Sequence, residues 1–221
     1  MSDLLKFYAD PNNDIWGHTL SFFLLCLVAI VVAVVAGIVL GFVVSRNSFV
    51  AFAAVNISGL MRAIPVIAFL IAAVPYLKTG FTPAVVALII LGIPPVLLNT
   101  YTGLRSIDPA TIDAARGMGM TVWQIITRVQ MPLVLPIIAA GVRTSAVQIV
   151  ATAPLGAFIG AGGYGDYIVD GFYTLHILEI LAGAIPVALI ALLVEVGMGA
   201  LERRLTPAGL NIKGMLETAR V

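Results

Sequence analysis

Thr19 to Val44 reads TLSFFLLCLVAIVVAVVAGIVLGFVV, without one charged residue. A helix of that length, rising ~1.5 Å per residue, is long enough to cross ~30 Å of hydrocarbon. Lipid offers no partner to backbone N–H and C=O groups, so a spanning segment must satisfy them within itself, as a helix does. The stretch therefore decides the fold class: an all-α integral membrane protein. Composition agrees. The chain has 221 residues, 61% hydrophobic and 10% charged, with mean hydropathy +1.09. Soluble domains carry roughly a quarter charged residues.

Outward from that first span, the chain repeats the pattern. Arg46-Asn47-Ser48 breaks it. A second apolar run, about 49–77, contains Arg62 and is expected to kink near Pro65. A third, about 81–105, carries Pro94-Pro95 in its middle. The paired rings remove two backbone bonds, which neighbouring helices or water must tolerate. The fourth, about 133–158, contains Arg143, and the fifth runs about 175–201 before Glu202-Arg203-Arg204. Five spans fill residues 1–221 as one membrane domain. The first eighteen residues hold three acids and one lysine, the wrong balance for a signal peptide.

Charge gives an orientation. If the polar stretch after the third span lies inside, the inside basic set is Arg46, Arg105, Arg116, Arg128, Arg203, Arg204, Lys213 and Arg220. The outside set is Lys6 and Lys78. This bias predicts an outside N-terminus and a cytoplasmic C-terminus. A net charge of +1 excludes a global field for nucleic acid. Cys26 is the single cysteine, so it builds neither a disulfide nor a thiolate metal site, and no metal site is expected.

The polar stretch itself is Asp113-Ala114-Ala115-Arg116-Gly117-Met118-Gly119, running on to Val129-Gln130-Met131-Pro132. Asp108 is placed to cap a helix and Pro109 to open its first turn. Asp113 and Arg116 share a face at spacing three. Gly117 and Gly119 end the helix, or let another surface approach. An ordinary amphipathic connector fits these features too.

Residue types and spacing together resemble the EAA loop of binding-protein-dependent ABC importer permeases. Asp113, Ala114, Ala115, Gly119, Val129 and Pro132 occupy its places, with Asp for Glu, Val for Ile and Met131 for Leu. The resemblance implies the type I importer permease fold, with a cytoplasmic coupling helix at about 109–120 that docks on an ATPase subunit. Asp113, Ala114, Ala115, Arg116, Gly117 and Gly119 are its coupling residues. Further matches lie at Asn99 to Leu104, Ala140 to Ser145, Phe158 to Ile168 and Glu202 to Pro207. They resemble the osmoprotectant branch, permeases for glycine betaine, carnitine or choline. What this implies is one half of a pathway in a bacterial cytoplasmic membrane, worked by alternating access. Implied partners are two ATPase subunits inside, a second permease subunit (a like copy or a relative), a solute-binding protein outside, and membrane lipid.

No phosphate-binding G-x-x-x-x-G-K-[S/T] loop occurs in the chain. ATP and Mg are thus expected on the partner ATPase, and this chain is expected to be no enzyme and to hold no cofactor. Gly160-Ala161-Gly162-Gly163-Tyr164-Gly165 matches G-x-G-x-x-G, but a membrane span leads into it and no βαβ unit surrounds it, so a dinucleotide site is rejected. Gly162, Gly163, Tyr164 and Asp166 are instead read as an outer loop, re-entrant or in contact with the binding protein. A solvated loop is the plainer alternative.

Arg62 and Arg143 are costly inside a span unless they face protein or water. Each either pairs with helix carbonyls and snorkels, or lines the pathway. Thr144, Ser145 and Gln148 make the neighbourhood of Arg143 polar, which favours Arg143, Thr144 and Gln148 as pathway groups; for Arg62 both readings stand. A secondary transporter or channel needs no ATPase, but no acid is expected near mid-span to serve as its ion site. Glu195 is placed towards the inner interface. A passive membrane anchor is a third reading, opposed by the two arginines and the double proline.

Overall fold

The computed structural model describes residues 2–205, leaving aside the side chains of Ser2, Asp3, Leu5 and Arg62. The Lys213 and Arg220 of the charge count lie outside the described residues. Helix α1 (Ser2–Ala9) and a 3-10 turn (Pro11–Asn13) lead to α2 (Ile15–Ser45). Asp14, itself in the left-handed region, caps α2 by accepting from the Gly17 N–H at 3.2 Å. The second apolar run divides into α3 (Ser48–Ala63) and α4 (Val66–Leu77). Ile64 is extended, as a residue before proline prefers, and the two pieces bend by 96° about Ile64-Pro65. Next come α5 (Phe81–Arg105), α6 (Pro109–Gly117) and the single turn α7 (Val122–Ile125). A π-turn (Ile126–Gln130) runs into α8 (Met131–Thr152), and a 3-10 segment (Ala153–Ile159) follows. The described residues end with α9 (Tyr164–Thr174) and α10 (Ile177–Leu205).

Among the described residues, four helical stretches are long and apolar enough to cross a membrane, and α3 with α4 makes a fifth when the bent pair is one span. The expected five-span layout has this form, with shifted ends. The fourth span is longer than 133–158, because the helix is already running from Val122 and Pro132 sits in the first turn of α8. The fifth starts at Ile177, since Leu175 takes a left-handed turn (φ 58°).

Packing explains the small residues. The α2–α5 contact is a notch: a Cβ added at Gly37 would lie 2.6 Å from Val96, and one at Gly41 2.5 Å from Thr100. Close backbone approach of this kind is how apolar helices associate in lipid. Gly92 of α5 meets Ile149, Ser145 and Ala33, so three helices cross there. Beside this crossing Pro94 and Pro95 are fully buried, and α5 continues through them. Ser145 of α8 donates to the Gly92 carbonyl at 2.8 Å. Asn99 and Thr100 donate to the carbonyls of Pro95 and Val96. The core joins Phe22, Leu25 and Ala29 of α2 to Leu88, Ile149 and Val150, and reaches Tyr164 and Tyr167 of α9.

The stretch expected as a loop, Gly160 to Asp170, is largely helical. Gly160, Gly162 and Gly163 have positive φ and reverse the chain. The eleven residues of α9 then pack back on α10, where Gly183 lies under the Tyr164 carbonyl and Ile168. Eleven residues, about 16 Å of helix, are too few to cross the bilayer.

Candidate functional site

A cluster of charged side chains joins α8 to α10. The Arg143 guanidinium donates from Nη1 to Glu202 Oε2 at 3.2 Å, and from Nη2 to Glu195 Oε1. Glu195, Gly199 and Glu202 share one face of α10, at spacings of four and three. Gly199 lets the guanidinium lie on the helix surface: a Cβ there would be 3.4 Å from Cζ and Nη1 of Arg143. Arg143, Thr144, Val147 and Gln148 line a cleft of about 500 Å³ that also exposes Glu195 and Glu202. The Arg143 and Glu195 side chains remain 36% and 39% accessible, so the pair is open to that cleft. Thr144 returns its hydroxyl to the Ala140 carbonyl at 3.0 Å. The guanidinium is paired with two carboxylates rather than with helix carbonyls. Glu195 and Glu202, seven residues apart on α10, are thus both brought to Arg143. Arg62 lies on α3, with its side chain outside the described residues.

The second feature is α6. Asp108 caps it, accepting from Ala110 N–H at 2.9 Å, and Pro109 fills its first position. Asp113 and Arg116 form an exposed pair at 3.2 Å. Ala114 and Gly117 are exposed, while Ala115 is buried against the rest of the chain. Gly119 has φ +78°, which ends the helix, and nothing lies within 4 Å of a Cβ built there. Thr121 and Gln124 close a reciprocal cap that starts α7. Met118, Val122 and Trp123 are 74%, 69% and 72% exposed. Three large apolar side chains therefore stand uncovered beside a pair of open glycines.

At the opposite end of the bundle, Gly163 lies against the Phe22 backbone, where a Cβ would come within 3.3 Å. Its carbonyl meets His18 Nδ1 at 3.1 Å, and the same nitrogen is 3.4 Å from Asp166 Oδ2. Tyr164 is buried, its hydroxyl 2.8 Å from Thr19 Oγ1. Tyr167 donates to the Asn13 carbonyl. Burial pushes the Asp166 carboxyl up, against the opposing pull of His18. Gly162 is partly covered, near Ser21, and Asp170 is exposed.

The family model for the binding-protein-dependent transport system inner membrane component matches residues 15–207. The chain belongs to this family.

Similar relatives span nearly its whole length. A carnitine transport permease protein, OpuCB of Listeria monocytogenes, is 36% identical over 211 residues, 96% of this chain and 97% of the relative. The glycine betaine/carnitine/choline transport system permease protein OpuCB of Bacillus subtilis is 33% identical over 219 residues, covering 99% and 100%. Among solved structures, a chain of the MetNI methionine ABC transporter in an inward-facing conformation superimposes with TM-score 0.76. At 20% identity, with 87% and 96% covered, that likeness establishes the ABC importer permease fold. As an inner-membrane component of a binding-protein-dependent system, the permease works as one subunit among others.

Sequence reasoning missed Glu195 and Glu202 as partners of Arg143. Glu-x-x-x-Gly-x-x-Glu on a span was the available signal: two acids on one helical face with a gap between them sized for a guanidinium.

Proposed function

We propose that this permease is the membrane subunit of an ATP-driven importer for a small zwitterionic or quaternary-ammonium osmoprotectant such as glycine betaine, carnitine or choline. The observation that carries the reading is the near-complete coverage of relatives named as permeases for those solutes. A second permease subunit, a like copy or a relative, completes the pathway.

ATP and Mg belong to two partner ATPase subunits on the cytoplasmic side, where α6 is the coupling helix. Its exposed Asp113, Ala114, Arg116 and Gly117, with Gly119 and uncovered Met118 and Trp123, support a docking surface. Ala115 acts from beneath, by seating α6 on the bundle. The N-terminus faces outside and the C-terminus the cytoplasm, as the basic residues distribute. The solute-binding protein docks at the outer end, where α9 presents Asp166 and Asp170, with Gly162, Gly163 and Tyr164 setting its position. Closure of the ATPases moves the spans between two arrangements, and the solute passes the Arg143 cleft as they change.

The test is purification with the candidate ATPase and binding protein. The ATPase should co-purify, and glycine betaine, carnitine or choline with the binding protein should raise ATP turnover. A permease that purifies alone and leaves turnover unchanged would contradict the reading.

A further inference from the structure

The Arg143 cluster joins two acids to one guanidinium, in a cleft open to small molecules. We propose that the Arg143–Glu195 pair is an exchangeable ion pair that receives a zwitterionic solute in passage. The solute carboxylate takes the place of Glu195 on Nη2, and the displaced Glu195 carboxylate faces the solute's ammonium group. The proposal rests on the osmoprotectant reading and adds to it the two residues that select charge.

Three observations carry it. First, Arg143 is held twice, from Nη1 by Glu202 and from Nη2 by Glu195. Releasing Glu195 leaves the guanidinium anchored on α10, with its other fork offered to the cleft. Second, both members of the Arg143–Glu195 pair are more than a third accessible, unlike a pair locked in a core. Third, the cleft of about 500 Å³ falls in the range of sites that take small ligands, roughly 300–1,000 Å³. Gln148 lines it and adds amide donors beside the guanidinium.

Charge accounting gives the selectivity. Parting the pair leaves each charge without its partner, at a cost that solvent in the open cleft reduces. A zwitterion replaces one pair by two and leaves no charge bare. A simple anion pairs with Arg143 and strands Glu195, so the cleft disfavours it. The exchange also keeps binding weak, because the solute displaces a contact rather than filling a vacancy, and weak binding permits release.

The experiment uses the permease assembled with its ATPase and binding protein in liposomes, with glycine betaine and carnitine as probes. E195Q should lower uptake of whichever the parent carries by about ten-fold. The yield of purified complex should stay comparable, and E195D should restore part of the uptake. A merely structural pair predicts the opposite pattern, lost yield with uptake per complex kept, and unchanged uptake in E195Q overturns the proposal. A parent complex that carries neither zwitterion overturns the osmoprotectant reading itself, which is a different result. Independently of E195Q folding, T144C in a Cys26→Ala background should react with a trimethylammonium thiosulfonate. Glycine betaine should slow that reaction, and equal rates with and without it overturn the proposal.

Discussion

Among single residues, Arg143 ties α8 to α10 through two carboxylates. Arg143→Ala strips Glu195 of its partner and opens α8 from α10, so uptake should fall about ten-fold, with a lower melting temperature for the complex. Arg143→Lys keeps the charge but not the fork that holds two acids at once, and uptake should fall between the two. Gly163 is the matching residue at the outer end. Its φ of +91° and its contact with the Phe22 backbone leave no room for a side chain. Gly163→Ala should destabilise the protein by about 1–3 kcal/mol, read by thermal unfolding in detergent. The polarity around Arg143 was legible in Thr144 and Gln148. The acids were not, because Arg143 and Glu195 stand 52 residues apart and only the packing of α8 on α10 unites them. The inward turn of Tyr164 was hidden likewise, since its partner Thr19 lies at the other end of the chain.

At the scale of elements, α2 and α5 meet through a glycine notch, and α6 rests on the bundle through Ala115 with its other face exposed. Gly37→Leu would drive side-chain atoms into Val96 and should cost about 1–3 kcal/mol in stability, again by thermal unfolding. Gly119→Asp has open space around it but the wrong φ, and it places an unpaired carboxylate in the exposed turn that ends α6. The protein should insert, yet bind the ATPase weakly and lose uptake. Normal uptake in that variant would remove α6 from coupling. The four long spans were legible from hydropathy alone, because each helix exceeds the bilayer thickness, whereas the 96° bend of the second run was signalled only by Pro65. So was the start of α6, where Asp108 and Pro109 form a local signal. The end of α6 fell at Gly117 rather than 120, set by the turn at Gly119. α9 was not legible. Its glycines and acids read as a loop, and helix forms because Gly171 and Gly183 let it lie on the start of α10.

For the whole molecule, the polar features lie at separate levels: the α6 surface at one end, the Arg143 cleft among the spans, and the His18–Asp166 contacts at the other. Labelling fixes the orientation. In a Cys26→Ala background, cysteines at the exposed positions Asn12 and Met118 should react with a membrane-impermeant reagent from opposite faces, Asn12 from outside. Reaction from one face would place α6 where no ATPase reaches it. Uptake reports whether this permease converts ATP hydrolysis on a partner into solute movement. Liposomes containing the permease with its ATPase, supplied with the binding protein and labelled carnitine or glycine betaine, should accumulate solute only when ATP and Mg are present on the ATPase side. Equal accumulation without ATP, or by the permease alone, would contradict the account.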